Sequence, residues 1–304
     1  MSTVESLQRQ IASGEDLSSI VRTMKALAAT SVRQYEKAAE SLDDYYHTVE
    51  LGLSVVLSGR TEQKPSGRKR KDSSQLLLIF GSDHGLAGRF NEQIVSYVLD
   101  EYWLENSEDG SMPGNSHLIA IGEQVVSRID ASRTNLDASF NVPSSINAIT
   151  PFIQQLLEEI ERWQNSSGVE KVMLFYNRPH TGGFSPLAEV IIPVNLSRLQ
   201  EKRVEWPSRS LPTYTMPAEQ LLSSLLRQYF FVSLYRACAL SLAAENTSRL
   251  EAMQAAEKNI DERLVELKTS YQHERQAAIT EELLDIISGF KAVSGSKKKR
   301  AQPG

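Results

Sequence analysis

The sequence predicts two long helices, one at each end of the chain, paired as a coiled coil around a small α/β domain with a mainly parallel sheet. Three observations carry this expectation. All 11 prolines except Pro303 lie between Pro65 and Pro217. Both proline-free ends repeat apolar residues at steps of three and four, the period of one helix face. The middle instead alternates short apolar runs with helical patterns, which predicts strands joined by helices. A chain of 304 residues allows roughly two folded units at about 150 residues each. Charged residues are 23% and hydrophobic residues 40%, which excludes a wholly disordered chain. No apolar run approaches the roughly 18 to 20 residues of a membrane span, so no direct membrane insertion is expected. The net charge of −5 offers no general affinity for a polyanion.

Residues 1–64 form the first helical segment. Leu7, Ile11, Leu17, Val21, Met24, Ala28, Val32, Tyr35, Leu42, Val49, Leu53 and Val56 make one apolar stripe. Residues 218–290 form the second; they hold no proline, and no glycine before Gly289. Leu222, Leu225, Tyr229, Val232, Leu240, Leu250, Met253, Ile260, Leu264, Leu267, Tyr271, Ala278 and Ile286 supply the matching stripe. At about 1.5 Å per residue such segments far exceed the average globular helix of about 11 or 12 residues. A coiled coil extending from its domain follows. Gly14, Ser18, Ser31, Thr247 and Glu274 fall at or beside seam positions where a tight zipper would carry Leu or Ile. The faces carry both charge signs, as solvated helices do.

Between the ends, residues 65–217 form the α/β domain with its flanking linkers. Ser58 to Ser74 is rich in basic residues with Pro65 and Gly67, and reads as a linker. QLLLIF (Gln75 to Phe80), HLIAI (His117 to Ile121), KVMLFY (Lys171 to Tyr176) and EVIIPV (Glu189 to Val194) are the expected strands. Helical patterns run from Asn91 to Leu104, Gln124 to Ile129 and Ile146 to Trp163. A second linker, Pro207 to Pro217, leads into the final helix, and residues 291–304 form a basic tail expected to be disordered. One cysteine, Cys238, excludes an internal disulfide and a cysteine-based metal site. Met1 to Ile20 lacks the apolar core of a secretory signal, so an intracellular protein is expected.

GSDHGLAGRFN (Gly81 to Asn91) follows the first strand and opens a helix, a place where α/β proteins often hold phosphate. Its glycines do not form GxGxxG and no GK[ST] follows, so neither nucleotide fingerprint is met. The same segment also reads as a tight turn in which glycines relieve crowding and Asp83 caps backbone donors. Ser82, Asp83 and His84 are adjacent, whereas triad members converge from separated positions. No paired-carboxylate, HExxH or nucleophile-elbow pattern stands out, so no catalytic residue, cofactor or metal is expected. On residues alone two other classes stay open. One is a nucleotide-binding α/β protein; the other is a coiled-coil scaffold or nucleic-acid adaptor using the basic linker and tail. The acidic net charge and the lack of aromatics among the basic residues argue against nucleic acid.

Several segments carry a specific resemblance. ENTSRLEAM (Glu245 to Met253), RQAAITEEL (Arg275 to Leu283) and ISG (Ile287 to Gly289) resemble the signature of the gamma subunit of F-type ATP synthases. GSDHGLAGRFN is similar to that family's SDRGLCGxxN turn, with Ala87 where many members have Cys and Arg89 where a small residue is common. Near the start, GEDLSSIVRTMKALAA (Gly14 to Ala29) departs from the family's usual KNTxxITKAMKMVAA. With Gln34, Tyr35 and Glu36 it resembles the alternate, N-type branch, some of whose members are linked to sodium transport.

The resemblance implies an antiparallel coiled coil with a Rossmann-like α/β domain inserted, acting as the non-catalytic central rotor of an F-type ATP synthase. Implied partners are the alpha and beta subunits of the head, the epsilon subunit and the membrane c ring. The implied location is peripheral, on the cytoplasmic face of a bacterial inner membrane. By position, Met24 and Lys25 match the N-helix contact with the moving beta lever, and Arg275, Gln276, Thr280 and Glu282 match the C-helix contact region. Ile279, Leu283 and Ile286 match the apolar shaft tip, while Gly81, Asp83, Gly85 and Gly88 keep a structural role in the turn.

Overall fold

The computed structural model describes residues 3–58, 74–107, 111–194 and 213–299. Two compact units divide the chain: Ala26–Ala252 forms one, while Met1–Lys25 with Met253–Gly304 forms the other. Most of the expected Ser58 to Ser74 linker, the first part of the second linker and residues 300–304 of the tail lie outside the described residues.

Within Ala26–Ala252 a five-stranded sheet runs in the order β3-β2-β1-β4-β5. Its strands are β1 (Gln75–Phe80), β2 (Ser116–Ile121), β3 (Ala138–Phe140), β4 (Lys171–His180) and β5 (Gly183–Ile192). β3, β2, β1 and β4 are mutually parallel, and β5 returns antiparallel to β4. The short helices α3 (Phe90–Ser96), α4 (Tyr102–Asn106) and α5 (Glu123–Ala131) lie on one face. There Ile94, Val95, Trp103, Val125 and Ile129 pack on Leu77, Ile79, Leu118, Ala120, Met173 and Phe175. The opposite face, Leu76, Leu78, Phe80, Ile119, Ile121, Val172 and Leu174, receives Ile149, Ile153, Leu156 and Ile160 of α6 (Ile146–Ser167). It also receives Leu234, Ala237, Cys238 and Leu242 of the C-terminal helix, α7 (Ala218–Lys299). Burial on both faces explains why QLLLIF is a continuous apolar run and not an alternating one. Each such aliphatic side chain contributes about 1.5 to 3 kcal/mol of transfer free energy.

The mainly parallel α/β expectation therefore holds, with three differences in detail. β5 starts at Gly183, before the expected Glu189, because it is the partner of a hairpin whose two-residue turn places Gly182 at φ +92. Pro186 inside it is tolerated at a sheet edge, where one side of the strand needs no ladder donor. β3 has three residues and no apolar run to announce it. The helix expected from Asn91 to Leu104 is interrupted by a π turn at Tyr97–Glu101, where the Tyr102 N–H donates to the Tyr97 carbonyl. Such a turn aligns residues five apart, and both Tyr97 and Tyr102 reach the Phe175 ring, with centroids at 6.3 and 5.2 Å.

The first helical segment is also two helices, α1 (Thr3–Glu40) and α2 (Asp43–Ser58). At the break the Ser41 hydroxyl donates to the Ala38 carbonyl at 2.9 Å, a local bond that competes with helix continuation. Asp43 and Asp44 then occupy the first turn of α2, where its dipole favours acids. Asp43 also meets Arg236 of α7 at 3.2 Å, and Val49, Leu53 and Leu57 pack against Tyr229. α7 continues to Lys299, past the boundary expected at 290.

The other unit holds the start of α1 and the end of α7 as an antiparallel pair. Residue numbers fall on α7 as they rise on α1: Glu15 meets Lys268 at 2.7 Å, Arg22 meets Asp261 at 3.5 Å, and Lys25 meets Glu257. Val21, Met253 and Leu267 are its buried apolar residues. Gly14 is a seat for Leu264, whose Cδ2 would lie 2.8 Å from a Cβ at that position. One seam irregularity is thus a close approach. Ser18, another, is buried.

Candidate functional site

The strand-to-helix turn is built around backbone donors that its own side chains consume. Gly81 is sterically required, because a Cβ there would stand 2.0 Å from Val125 Cγ2. The Ser82 N–H donates to Asn91 Oδ1 at 3.0 Å, and Asn91 Nδ2 donates back to Ser82 Oγ at 2.8 Å. Asp83 accepts from two separate chain segments, the Glu123 N–H at 3.2 Å and the Val142 N–H at 2.9 Å. It thereby ties the N-terminus of α5 and the residues after β3 to the turn. Gly88 takes φ +52, and Leu86 holds φ 65 without glycine's freedom. Gly85 has open space around it, and its carbonyl accepts weakly from Arg249 Nη2 at 3.5 Å.

The Asp83 carboxylate already occupies the start of α5 and would repel an anion brought to that helix N-terminus. Ser82 is no nucleophile prepared by a base either, since its hydroxyl donates to the His84 carbonyl and not to the imidazole. Among the described residues no group of three or more His, Cys, Asp or Glu side chains is placed to hold a metal ion. Cys238 is fully buried, and burial pushes its thiol pKa up, away from the reactive thiolate.

The turn instead docks on α7, at the ENTSRLEAM segment. Ser248 Oγ donates to the Ala87 carbonyl at 2.7 Å, and Ala87, Phe90 and Ala244 form a small buried cluster completed by Phe184. Arg249 Nη2 pairs with Glu245 Oε1 at 2.7 Å, both largely buried. Burial pushes the Glu245 carboxyl above its usual range, and the Arg249 charge opposes that shift. Asn177 of β4 completes the seat by donating to the Phe90 carbonyl at 3.0 Å. Two segments more than 150 residues apart in sequence are thus parts of one joint. Ser248 lies within the ENTSRLEAM segment quoted from the sequence, whereas Asn177, and Gly122 beneath the turn, do not stand out there. Gly122 has φ +109, and a Cβ there would lie 2.7 Å from both Ser82 N and Ser82 O.

The remaining residues singled out from the sequence lie in the paired-helix unit. Met24 and Lys25 are half-buried on α1, with exposed Leu17 and Ile20 on the turns before them. Lys25 Nζ is engaged by Glu257. Arg275, Gln276, Thr280 and Glu282 are exposed, and the Thr280 hydroxyl is turned back to the Gln276 carbonyl at 2.8 Å. Ile279, Leu283 and Ile286 are 54%, 56% and 67% exposed, and Leu284 and Ile287 beside them are also open. From Gln272 to Gly289 every residue of α7 is exposed.

The open apolar side chains at the end of α7 mark a subunit built for assembly with others. Residues 3–293 match the family described as ATP synthase, and the chain belongs to that family, among its gamma chains. It is 26% identical over 300 residues to the ATP synthase gamma chain of Buchnera aphidicola subsp. Diuraphis noxia, covering 97% of this chain and 99% of that one. It is 28% identical over 306 residues to the ATP synthase gamma chain of Pelagibacter ubique, covering 96% and 100%. Its fold resembles a chain in the mitochondrial ATP synthase of Euglena gracilis, with a TM-score of 0.61 at 16% identity over 97% of this chain and 96% of that one. A central-stalk chain of the Tetrahymena thermophila enzyme matches with a TM-score of 0.54 at 22% identity, over 78% and 99%.

Proposed function

We infer that this chain is the central-stalk rotor subunit of an F-type ATP synthase and carries out no catalysis itself. Its partners are the alpha and beta subunits of the head, the epsilon subunit and the c ring. The observation that carries the reading is the end of α7, where five large apolar side chains stand open on one helix. A lone globular protein would cover such residues; here a surrounding collar of subunits covers them. Ile279, Leu283 and Ile286 then form the tip that turns within that collar. Arg275, Gln276, Thr280 and Glu282, just before and among them, contact the head from the C-terminal helix. Met24 and Lys25 do so from the N-terminal helix.

The mechanism follows from asymmetry. One stalk with a single set of contacts cannot touch several identical catalytic subunits alike, so each nucleotide site is biased differently. Turning the stalk exchanges the biases, and ion flow through the c ring supplies the rotation. Only contacts that differ in free energy between conformations of the head can shift its nucleotide affinity. Among the described residues no helix is long and apolar enough to cross a membrane, which suits a subunit seated on a membrane ring. The bacterial relatives support the cytoplasmic face of a bacterial inner membrane as its place.

The test is reconstitution. The isolated chain should hydrolyse no ATP, yet restore assembly and ATPase activity to alpha and beta subunits lacking it. A chain that binds neither overturns the reading.

A further inference from the structure

Across the paired-helix unit one carboxylate is shared by two cations. Glu257 of α7 takes Arg22 Nε on one oxygen at 3.1 Å and Lys25 Nζ on the other, and Arg22 also reaches Asp261 at 3.5 Å. Arg22 and Lys25 are three apart on α1, and Glu257 and Asp261 four apart on α7, so each pair shares one helix face. The cluster is neutral, with two charges of each sign. Glu257 is the less exposed acid, and the bond from Lys25, with Arg22 assisting, holds its carboxyl below the usual carboxylate range. A hydrogen-bonded carboxylate with cations on both oxygens fixes where the ammonium sits along the stalk.

We propose that Glu257 is a positioning residue for Lys25: it holds the ammonium against the stalk and so limits how strongly α1 attracts carboxylates of the surrounding head. The proposal rests on the placement of Lys25 at the head described above. With Glu257 neutralised, Asp261 still faces Arg22, but Lys25 is left without its recorded partner and is free to reach outward. Each passing carboxylate of the head then meets an uncompensated cation, and rotation slows at that point of the cycle.

The experiment is a four-membered cycle in the reconstituted complex of alpha, beta and this chain: parent, Glu257→Gln, Lys25→Gln and the double variant. ATP hydrolysis is followed from low to high salt, and assembly is verified for each. Glu257→Gln is expected to slow hydrolysis about two- to fivefold at low salt, the range spanned by a surface ion pair. The defect should fade as salt shortens the screening length from about 10 Å at 0.1 M to about 3 Å at 1 M. In the Lys25→Gln background, Glu257→Gln should add no further defect, so the double variant should match Lys25→Gln. Loss of helix packing alone would be neither relieved by salt nor masked by Lys25→Gln. Altered hydrolysis in Lys25→Gln with none in Glu257→Gln overturns the positioning role alone. No change in any of the three variants overturns the placement of Lys25 at the head as well.

Discussion

In the turn from Gly81 to Asn91, Ser82 and Asn91 bond to each other, while Asp83 and Ala87 accept from α5, α7 and the residues after β3. From Gln272 to Gly289, by contrast, α7 is exposed at every residue, its large apolar side chains included. Both segments belong to the stretches that mark the family, yet they answer to different constraints. The turn is fixed by the demands of its own fold, so its substitutions should register as lost stability. On the proposed function the helix end answers to partners, so its substitutions should register in the assembled complex and leave the isolated chain nearly unchanged.

The largest effect should come from Gly122→Ala. The new Cβ would stand 2.7 Å from backbone atoms of Ser82, which cannot swing away as a side chain could, and the residue would hold φ +109. Overpacking and strain together should cost about 3 kcal/mol or more. Urea unfolding followed by tryptophan fluorescence measures it, Trp103 and Trp163 lying on the two faces of the sheet domain. An unchanged midpoint would mean that the turn is looser than its geometry implies.

Gly122 also shows where the sequence stops being informative. The cores of β1, β2 and α6 are legible because strands covered on both faces read as unbroken apolar runs, and because α6 repeats its apolar residues at helical spacing. Gly122 lies directly between a strand and a helix, a signal for a tight turn, but nothing local reveals that Ser82 backbone crosses it. The break between α1 and α2 has neither proline nor glycine; it rests on the Ser41 hydroxyl and on what α2 then meets on α7. Lys25 was visible through its motif, whereas Glu257, 232 positions away, became its partner only through the register of two antiparallel helices. Helix faces can be read from spacing; register between distant helices cannot.

A smaller loss is expected for Ser248→Ala. It removes the bond from α7 to the Ala87 carbonyl but leaves that carbonyl the Phe90 N–H at 3.1 Å, so no buried acceptor is stranded. The cost should be about 1 kcal/mol, that of an ordinary buried hydrogen bond without an orphaned partner. If the turn and α7 move as one piece under load, the same variant should lower ATP-driven ion pumping no more than stability. A pumping defect larger than the stability loss would make the joint part of force transmission and not merely of folding.

The smallest change in stability should accompany Arg275→Ala with Gln276→Ala, at the other pole of the comparison. Both side chains are exposed, and no ion pair of Arg275 is recorded among the described residues, so unfolding of the isolated chain should shift by no more than about 0.5 kcal/mol. Alanine is also a good helix former, which removes lost helicity as an alternative cause. In the reconstituted enzyme the same pair should weaken coupling: hydrolysis continues while ion pumping per ATP falls. Full pumping in that variant would count against the contacts assigned to Arg275 and Gln276. A large loss of stability would instead mean that this end of α7 is supported by the chain itself, and the contrast with the docked turn would collapse.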